Sequence, residues 1–492
     1  MKLLLLLTTL CVFFFQHYCE ADHHKLVIIG AGSSGIAAAT RLLENDFTDF
    51  IILEAENRTG GRIFSVPFGN GIVDLGAQFC QGEKNNIVYE TVKDLDVLKH
   101  HDNGTYVNLY TKFKIDKNVT ETINNLFDSI YENVEDDVKE SSLQEYFVKR
   151  FTNAINKLYS DSPKLLEFAK DCTDFFLGAI CSIEGAFNAS DISPHESYEE
   201  IPGDQYMHWN GKGYKTFLDV LMKKYPNPNE SLPIDDKILL NKEVANVDWR
   251  TENSNSSKVA IKCSNGETYY AEHVIVTVSL GVLKENLETM FNPRLPIEKV
   301  RAIEDIGFGA ISEIHLWYEH SWWPENLTLM NFIWTEQERR TLRDNGLEWY
   351  LNVLSLAPQI GNRNELCLWI AGDDVPKIEQ LPDSEILSGI TYIFDLFLRK
   401  DYNITQPSKI LRSKWHSQPH FRGSYSYPSI KMNANNTLRE DLGNPLLYPN
   451  TTKPIVFFAG EATNPHHFAT VHGATETGFR EADRILKLYK TQ

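Results

Sequence analysis

Cysteine is scarce. The chain holds 7, and two of them, Cys11 and Cys19, fall in its first twenty residues. The remaining five, Cys80, Cys172, Cys181, Cys263 and Cys367, are an odd number spread too thinly for a disulfide framework. Cys172 and Cys181 either pair or stay two buried thiols. No Cys/His spacing of the zinc-binding kind occurs, so no metal centre is expected. Positive charge is the second shortage: 48 Lys and Arg stand against 67 Asp and Glu, a formal net charge of −19. Nucleic acid and anionic membranes repel such a surface; it is compatible with steering a cationic small molecule, and equally with a merely acidic, soluble protein. Internal repeats are lacking, and "ENSNSS" (252–257) is only a polar loop within a hairpin-like region. A second glycine-rich nucleotide motif is missing too.

The one long apolar run opens the chain: "MKLLLLLTTLCVFFFQHYCEA". Lys2, an apolar stretch over Leu3–Phe15 and the small Ala21 have the form of a secretory signal over 1–21. The run is too short for a convincing membrane span, so the mature chain is expected to start at about Asp22, secreted and without a transmembrane helix. N-glycosylation sequons at Asn103, Asn118, Asn188, Asn229, Asn255, Asn326, Asn403, Asn435 and Asn450 agree with export. With 492 residues, 42% of them hydrophobic, more than one compact domain is expected.

Chemistry appears first in "LVIIGAGSSGIAAATRLLENDFTDFIILEA", Leu26–Ala55. Leu26–Ile29 reads as a buried strand, Ile36–Glu44 as a helix and Phe50–Leu53 as a second buried strand. Between them, Gly30 makes a tight turn, Gly32 lets backbone approach a pyrophosphate, and Gly35 lets helix and strand pack closely. The helix start offers free N–H groups and partial positive charge to phosphates, and Glu54 can accept from ribose hydroxyls. The motif is a dinucleotide site, with its strand–turn–helix–strand–acid context complete.

The next residues, "EAENRTGGRIFS", together with "DLGAQFCQG" (74–82), Lys242-Glu243-Val244, "HVIVTVSLGVLKE" (273–285), "FRGSYSYP" (421–428) and "VFFAGEATNPHHFATVHGATETGFREADRIL" (456–486), resemble the flavin-containing amine oxidases, closest in type to the animal polyamine oxidases. The resemblance runs through nearly the whole chain. It implies non-covalent FAD, because Ser424 stands where monoamine oxidases carry a flavin-bonded cysteine. It implies FAD contacts from Arg62, Gly76, Ala77, Val244, Trp415, Gly460, Glu461 and Val471, and it would bury Asn57, itself in a sequon, against the cofactor. Substrate would be an amine and the electron acceptor dioxygen, with Tyr425 and Thr470 beside the reacting amine.

FAD-binding segments at the start, middle and end make that domain discontinuous. The expected class is α/β: a Rossmann-like FAD-binding domain from 24–84, 212–305 and 422–489. An α+β substrate-binding domain, a mixed sheet flanked by helices, is expected from 85–211 and 306–421. In the second part, Leu126, Ile130, Val134 and Val138 suit one helical face, and Phe147, Phe151, Ile155 and Leu158 another. Asp383–Arg399 and Gly473–Tyr489 also read as helices.

Two residues depart from the family pattern. In "GFGAISEIHLWY" (307–318), strand alternation puts Ile311, Glu313, His315 and Trp317 on one face. Alternation alone permits Glu313 as surface decoration, but the resemblance aims it at the flavin, where the family has lysine. A carboxylate there favours a developing iminium cation and opposes an anionic reduced ring, so its pKa is expected to rise. Gln81 stands where polyamine oxidases often have His or Glu, and Glu83 and Glu184 are the candidate compensating acids. An oxidase acting on polyamines is the leading expectation. A flavoprotein with lost turnover is the alternative. An L-amino-acid oxidase, with Arg339 or Arg422 clamping a carboxylate, is the third.

Overall fold

The opening motif folds as its pattern predicts. In a computed structural model that describes residues 23–100, 107–110, 115–134, 138–195, 198–249, 259–448 and 451–490, the first strand, β1, spans His23–Ile29 and the second, β2, Phe50–Leu53. The intervening helix, α1, is Ser33–Leu43, starting three residues earlier than its apolar stripe. The signal segment and the sequons at Asn103, Asn255 and Asn450 lie outside the described residues.

β1 is paired on both sides along Leu26–Ile29. It lies parallel to β2 (Leu26 opposite Phe50) and to β3, Thr268–Val276 (Val27 opposite Val274). The run Leu26–Ile28 is therefore wholly buried and reads apolar without alternation. β3 also carries, in parallel, β6, Pro454–Phe458. One nine-stranded sheet thus joins strands separated by more than four hundred residues. The last helix, α3 (Val471–Lys490), packs on α1; Gly478 makes that approach possible, since a Cβ there would lie 2.2 Å from the Ser34 carbonyl oxygen.

A second, six-stranded mixed sheet is centred on β4 (Ser312–Trp317) and β5 (Asn362–Ile370), which run antiparallel, with Lys409–Arg412 on the other side of β4. Helix Asp383–Phe397 covers one face through Ile386, Ile390, Ile393 and Phe397. Helices Lys117–Tyr131, Leu143–Leu158 and α2 (Pro163–Glu184) form a bundle around Phe127, Phe147, Phe151 and Phe176. Proline in the first turn starts α2, and Gly185, at φ +69°, ends it.

Three expectations need correction. Helix Lys117–Tyr131 stops before Val134 and Val138; within it Leu126 and Ile130 pack partly buried against the same core as the fully buried Ile123 and Phe127. Leu158, the last residue of its helix, is 53% exposed. Asn57 is exposed, because the turn directs Arg58 inward over the Phe64 ring (3.9 Å) and leaves Asn57 on the outside. All five described cysteines are buried free thiols, Cys172 and Cys181 included. Among the described residues no helix is long and apolar enough to cross a membrane.

Candidate active site

A cavity of about 1520 Å³ runs from the start of α1 to the face of β4 and on to the end of α2. At one end it is lined by Gly30, Gly32, Ser33, Ser34 and Glu54. Gly32 caps α1 without a side-chain acceptor, so the first helical N–H groups meet the cavity unscreened by a capping oxygen. Gly35 does not line it but is what closes the turn: a Cβ there would sit 2.0 Å from the Gly30 carbonyl oxygen. Glu54 is held by the N–H groups of Ala31 (2.6 Å) and Glu56 (2.8 Å), and each carboxylate oxygen keeps a further lone pair. Burial lifts its pKa above the ordinary carboxylate range, against the pull of those N–H donors.

Along the wall, Arg62 donates to the Ser424 carbonyl (2.6 Å) and to Glu461 (3.0 Å). Burial opposes ionisation of Glu461, but Arg62, the Ser426 hydroxyl (2.6 Å) and the Ala469 N–H (2.9 Å) hold its pKa below the usual value. Gly76 packs so closely that a Cβ would fall 2.0 Å from the Arg62 carbonyl oxygen and 3.0 Å from the Trp415 ring. Trp415 is fixed by Nε1 donating to the Leu75 carbonyl (2.7 Å). Ala77, Val244, Gly460 and Val471, where α3 begins, also line the cavity. A glycine-walled trough, an open helix start, an acid with spare lone pairs and a second helix start at its far end fit a flavin dinucleotide. Ser424 has a hydroxyl and no thiol to bond it; its Oγ accepts from the Ile311 N–H (3.1 Å).

Deeper, the cavity meets β4. Glu313 is 4% exposed and lines the wall, so surface decoration is excluded. Its Oε1 accepts from Gln78 Nε2 (2.5 Å). Tyr425 donates to the Ser182 carbonyl (2.7 Å) and lays its ring against Gly185. Thr470 bonds the His467 carbonyl (2.7 Å) and accepts from the Gly473 N–H (3.0 Å), so it caps α3 while lining the cavity. Gln81 lines the cavity. Glu83 does not: its carboxylate lies 3.5 Å from His100 Nδ1, outside the wall, the backbone between it and Gln81 being redirected at Gly82, φ +79°. Glu184, at the end of α2, accepts from Tyr131 OH (2.6 Å); burial raises its pKa, with Tyr131 and Arg439 pulling the other way. Arg339 is tied to Asp171 (2.9 Å) and Asp174 (3.0 Å), and neither it nor Arg422 lines the cavity.

Several wall residues escaped sequence reasoning. Gln78, Trp369, Tyr198, Tyr206 and Glu200 line the cavity. So does His420, with Nδ1 2.5 Å from Glu56. Their only advance signal is proximity to matched motifs, which Gln78 and His420 have and the others lack.

The profile of the flavin-containing amine oxidoreductases matches residues 33–486. The chain belongs to that family. It is accordingly an FAD-dependent amine oxidase. Relatives include the human peroxisomal N(1)-acetyl-spermine/spermidine oxidase, 27% identical over 95% of this chain and 96% of that one. A probable polyamine oxidase 5 of Arabidopsis thaliana is 27% identical over 96% of this chain and 99% of its own length. Among solved structures, a redesigned putrescine oxidase superposes with a TM-score of 0.61 at 16% identity, covering 95% of this oxidase and 99% of that chain. The oxidase fold is thus shared well beyond recognisable sequence.

Proposed function

We propose that this oxidase acts on a polyamine or a closely similar multiply charged amine, in a secreted compartment. The observation that carries the reading is the charge of the cavity wall. Glu54, Asp128, Glu132, Glu184, Glu200, Glu243, Glu313 and Glu461 line it, against Arg62 and Lys242. Both cations are already spent, Arg62 on Glu461 (3.0 Å) and Lys242 on Glu267 (2.5 Å). The wall beyond the trough attracts cations and, among the described residues, has no free arginine for a substrate carboxylate, which disfavours an amino acid. The relatives named for polyamine substrates support the same choice.

FAD, held by the glycine trough and the start of α1, would supply the two-electron oxidation beside the amine nitrogen, with dioxygen as the final acceptor. The chain's task is orientation. Tyr425, locked to Ser182, and Trp415, locked to Leu75, offer fixed ring walls; Glu184 and Glu313 draw the cationic ends of the amine. Gln81 contributes a neutral hydrogen-bonding group. The net change is amine, dioxygen and water to aldehyde, shorter amine and hydrogen peroxide. The apolar opening of the chain and its sequons support export.

Purified protein, exposed without oxygen to spermine, N-acetylated spermine, spermidine, a monoamine and an amino acid, tests this. Bleaching of the visible flavin bands by a polyamine, then peroxide on aeration, is the expected result. Bleaching only by the amino acid would reject the substrate class. A yellow protein that none of the five bleaches would support a flavoprotein with lost turnover.

A further inference from the structure

Behind Glu313 lies an arrangement that the reading above does not use. β4 and β5 pair so that Glu313 stands opposite Trp369, His315 opposite Cys367 and Trp317 opposite Glu365. Alternate residues of both strands therefore point to one side, and three ionisable groups fall in line. Glu313 Oε2 is 3.8 Å from His315 Nε2, and His315 Nδ1 is 2.8 Å from Glu365 Oε1. Asn362 Nδ2 completes the row, donating to Glu365 Oε2 (2.6 Å). His315 and Glu365 are 0% exposed; only Glu313 reaches the cavity.

The other titratable groups facing His315 are Cys367, with Sγ 3.9 Å from Nε2, and Asp74 on the neighbouring hairpin. Burial pushes the Cys367 thiol up to about 11, so it is uncharged at neutral pH, and burial pushes Asp74 up to about 6. Burial works against a charged His315, while the carboxylates on either side, at 3.8 and 2.8 Å, favour it, and its pKa is raised above the ordinary value. With the imidazolium between them, the two glutamates and His315 sum to one negative charge. The member that shows this charge to the cavity is Glu313, whose Oε1 is also steadied by Gln78.

We propose that Glu313 is the inner ammonium-binding carboxylate of the cavity, a determinant of charge specificity, and that His315 and Glu365 are its positioning residues. This rests on the reading that the cavity takes a cationic amine. His315 on one side and Gln78 on the other fix the direction of the carboxylate, while Glu365 orients the imidazole. A substrate ammonium then neutralises the row, and a neutral isostere finds no partner.

The test uses FAD-loaded protein, photoreduced and kept free of oxygen, so that binding is measured without turnover. 1,8-Diaminooctane and the uncharged 1,8-octanediol are titrated by calorimetry into the wild type, Glu313→Gln and His315→Gln. Glu313→Gln is expected to weaken the diamine about tenfold and leave the diol unchanged. His315→Gln is expected to make diamine affinity fall more steeply than in the wild type as pH drops from 8 to 6. Nitrogen-15 spectra of His315 are expected to show an imidazolium at pH 8. An unchanged diamine affinity in Glu313→Gln, an equal loss for the diol, or a neutral His315 at pH 8 overturns the proposal. If His315→Gln does not fold, the Glu313→Gln titration decides alone. Failure of the substrate reading looks different: amines then bind through Glu313 but bleach no oxidised flavin, whereas bleaching with unchanged affinity in Glu313→Gln sinks only this proposal.

Discussion

The two sheets solve opposite problems beside one cavity. The nine-stranded half builds its side from backbone: a glycine turn, two helix starts, and an acid held by two N–H groups. The six-stranded half builds its side from buried charge, with Glu313, His315 and Glu365 aligned on paired strands. Backbone donors cannot be titrated and tolerate no added volume. Paired charges tolerate some volume change but depend on every partner and on pH. The halves should therefore break in different ways.

The largest expected break is in the backbone-built half. Gly35→Val places side-chain atoms where even a Cβ would meet the Gly30 carbonyl oxygen at 2.0 Å, so the protein should purify without FAD. The ratio of flavin to protein absorbance measures this, and a fully yellow variant would contradict the cradle described here. Next is the charged half. Glu365→Leu leaves His315 with one distant carboxylate and should cost about 3–5 kcal/mol in denaturant unfolding, the usual penalty for halving a buried pair. A change below 1 kcal/mol would mean the pair contributes nothing net.

The pH dependences come third and run in opposite directions. The His315 pKa is raised in the folded state, so its stabilisation is complete below the unfolded value near 6.5 and is lost as pH rises through the folded value. His315→Gln should flatten the alkaline decline of the melting temperature. Burial depresses His273 to about 4 and His472 to about 3. Their contribution is present above 6.5 and lost as pH falls towards those values, and His273→Phe should lessen the acid decline. The smallest effect is Trp415→Phe, which removes one buried bond to Leu75, about 1–2 kcal/mol by unfolding, with FAD retained.

Legibility in the sequence followed the same division. Phe50–Leu53 was readable to the residue, and Glu54 with it, because turn, helix and acid are neighbours in the chain. The joining of the last strand to the first sheet was legible only through the resemblance, since no local signal pairs Val456 with Val274. Glu313 was ambiguous for a plain reason: alternation fixes which residues share a face but not which face is buried. His315 and Glu365, fifty positions apart, became partners only through strand register. An acid inside the apolar run "NELCLWI" was the one available hint. Glu83 failed because the backbone changes direction at Gly82, φ +79°, and Asn57 because the inward member of its turn is Arg58.

The five free thiols bear on how long such an enzyme survives its own product. Peroxide attacks thiolates, and burial pushes Cys80 and Cys181 up to about 12, Cys263 and Cys367 up to about 11, and Cys172 well above its ordinary value. At neutral pH almost none of them is ionised, and none stands at the surface. An oxidase that releases an oxidant at every cycle thereby shelters the side chains that oxidant would damage first.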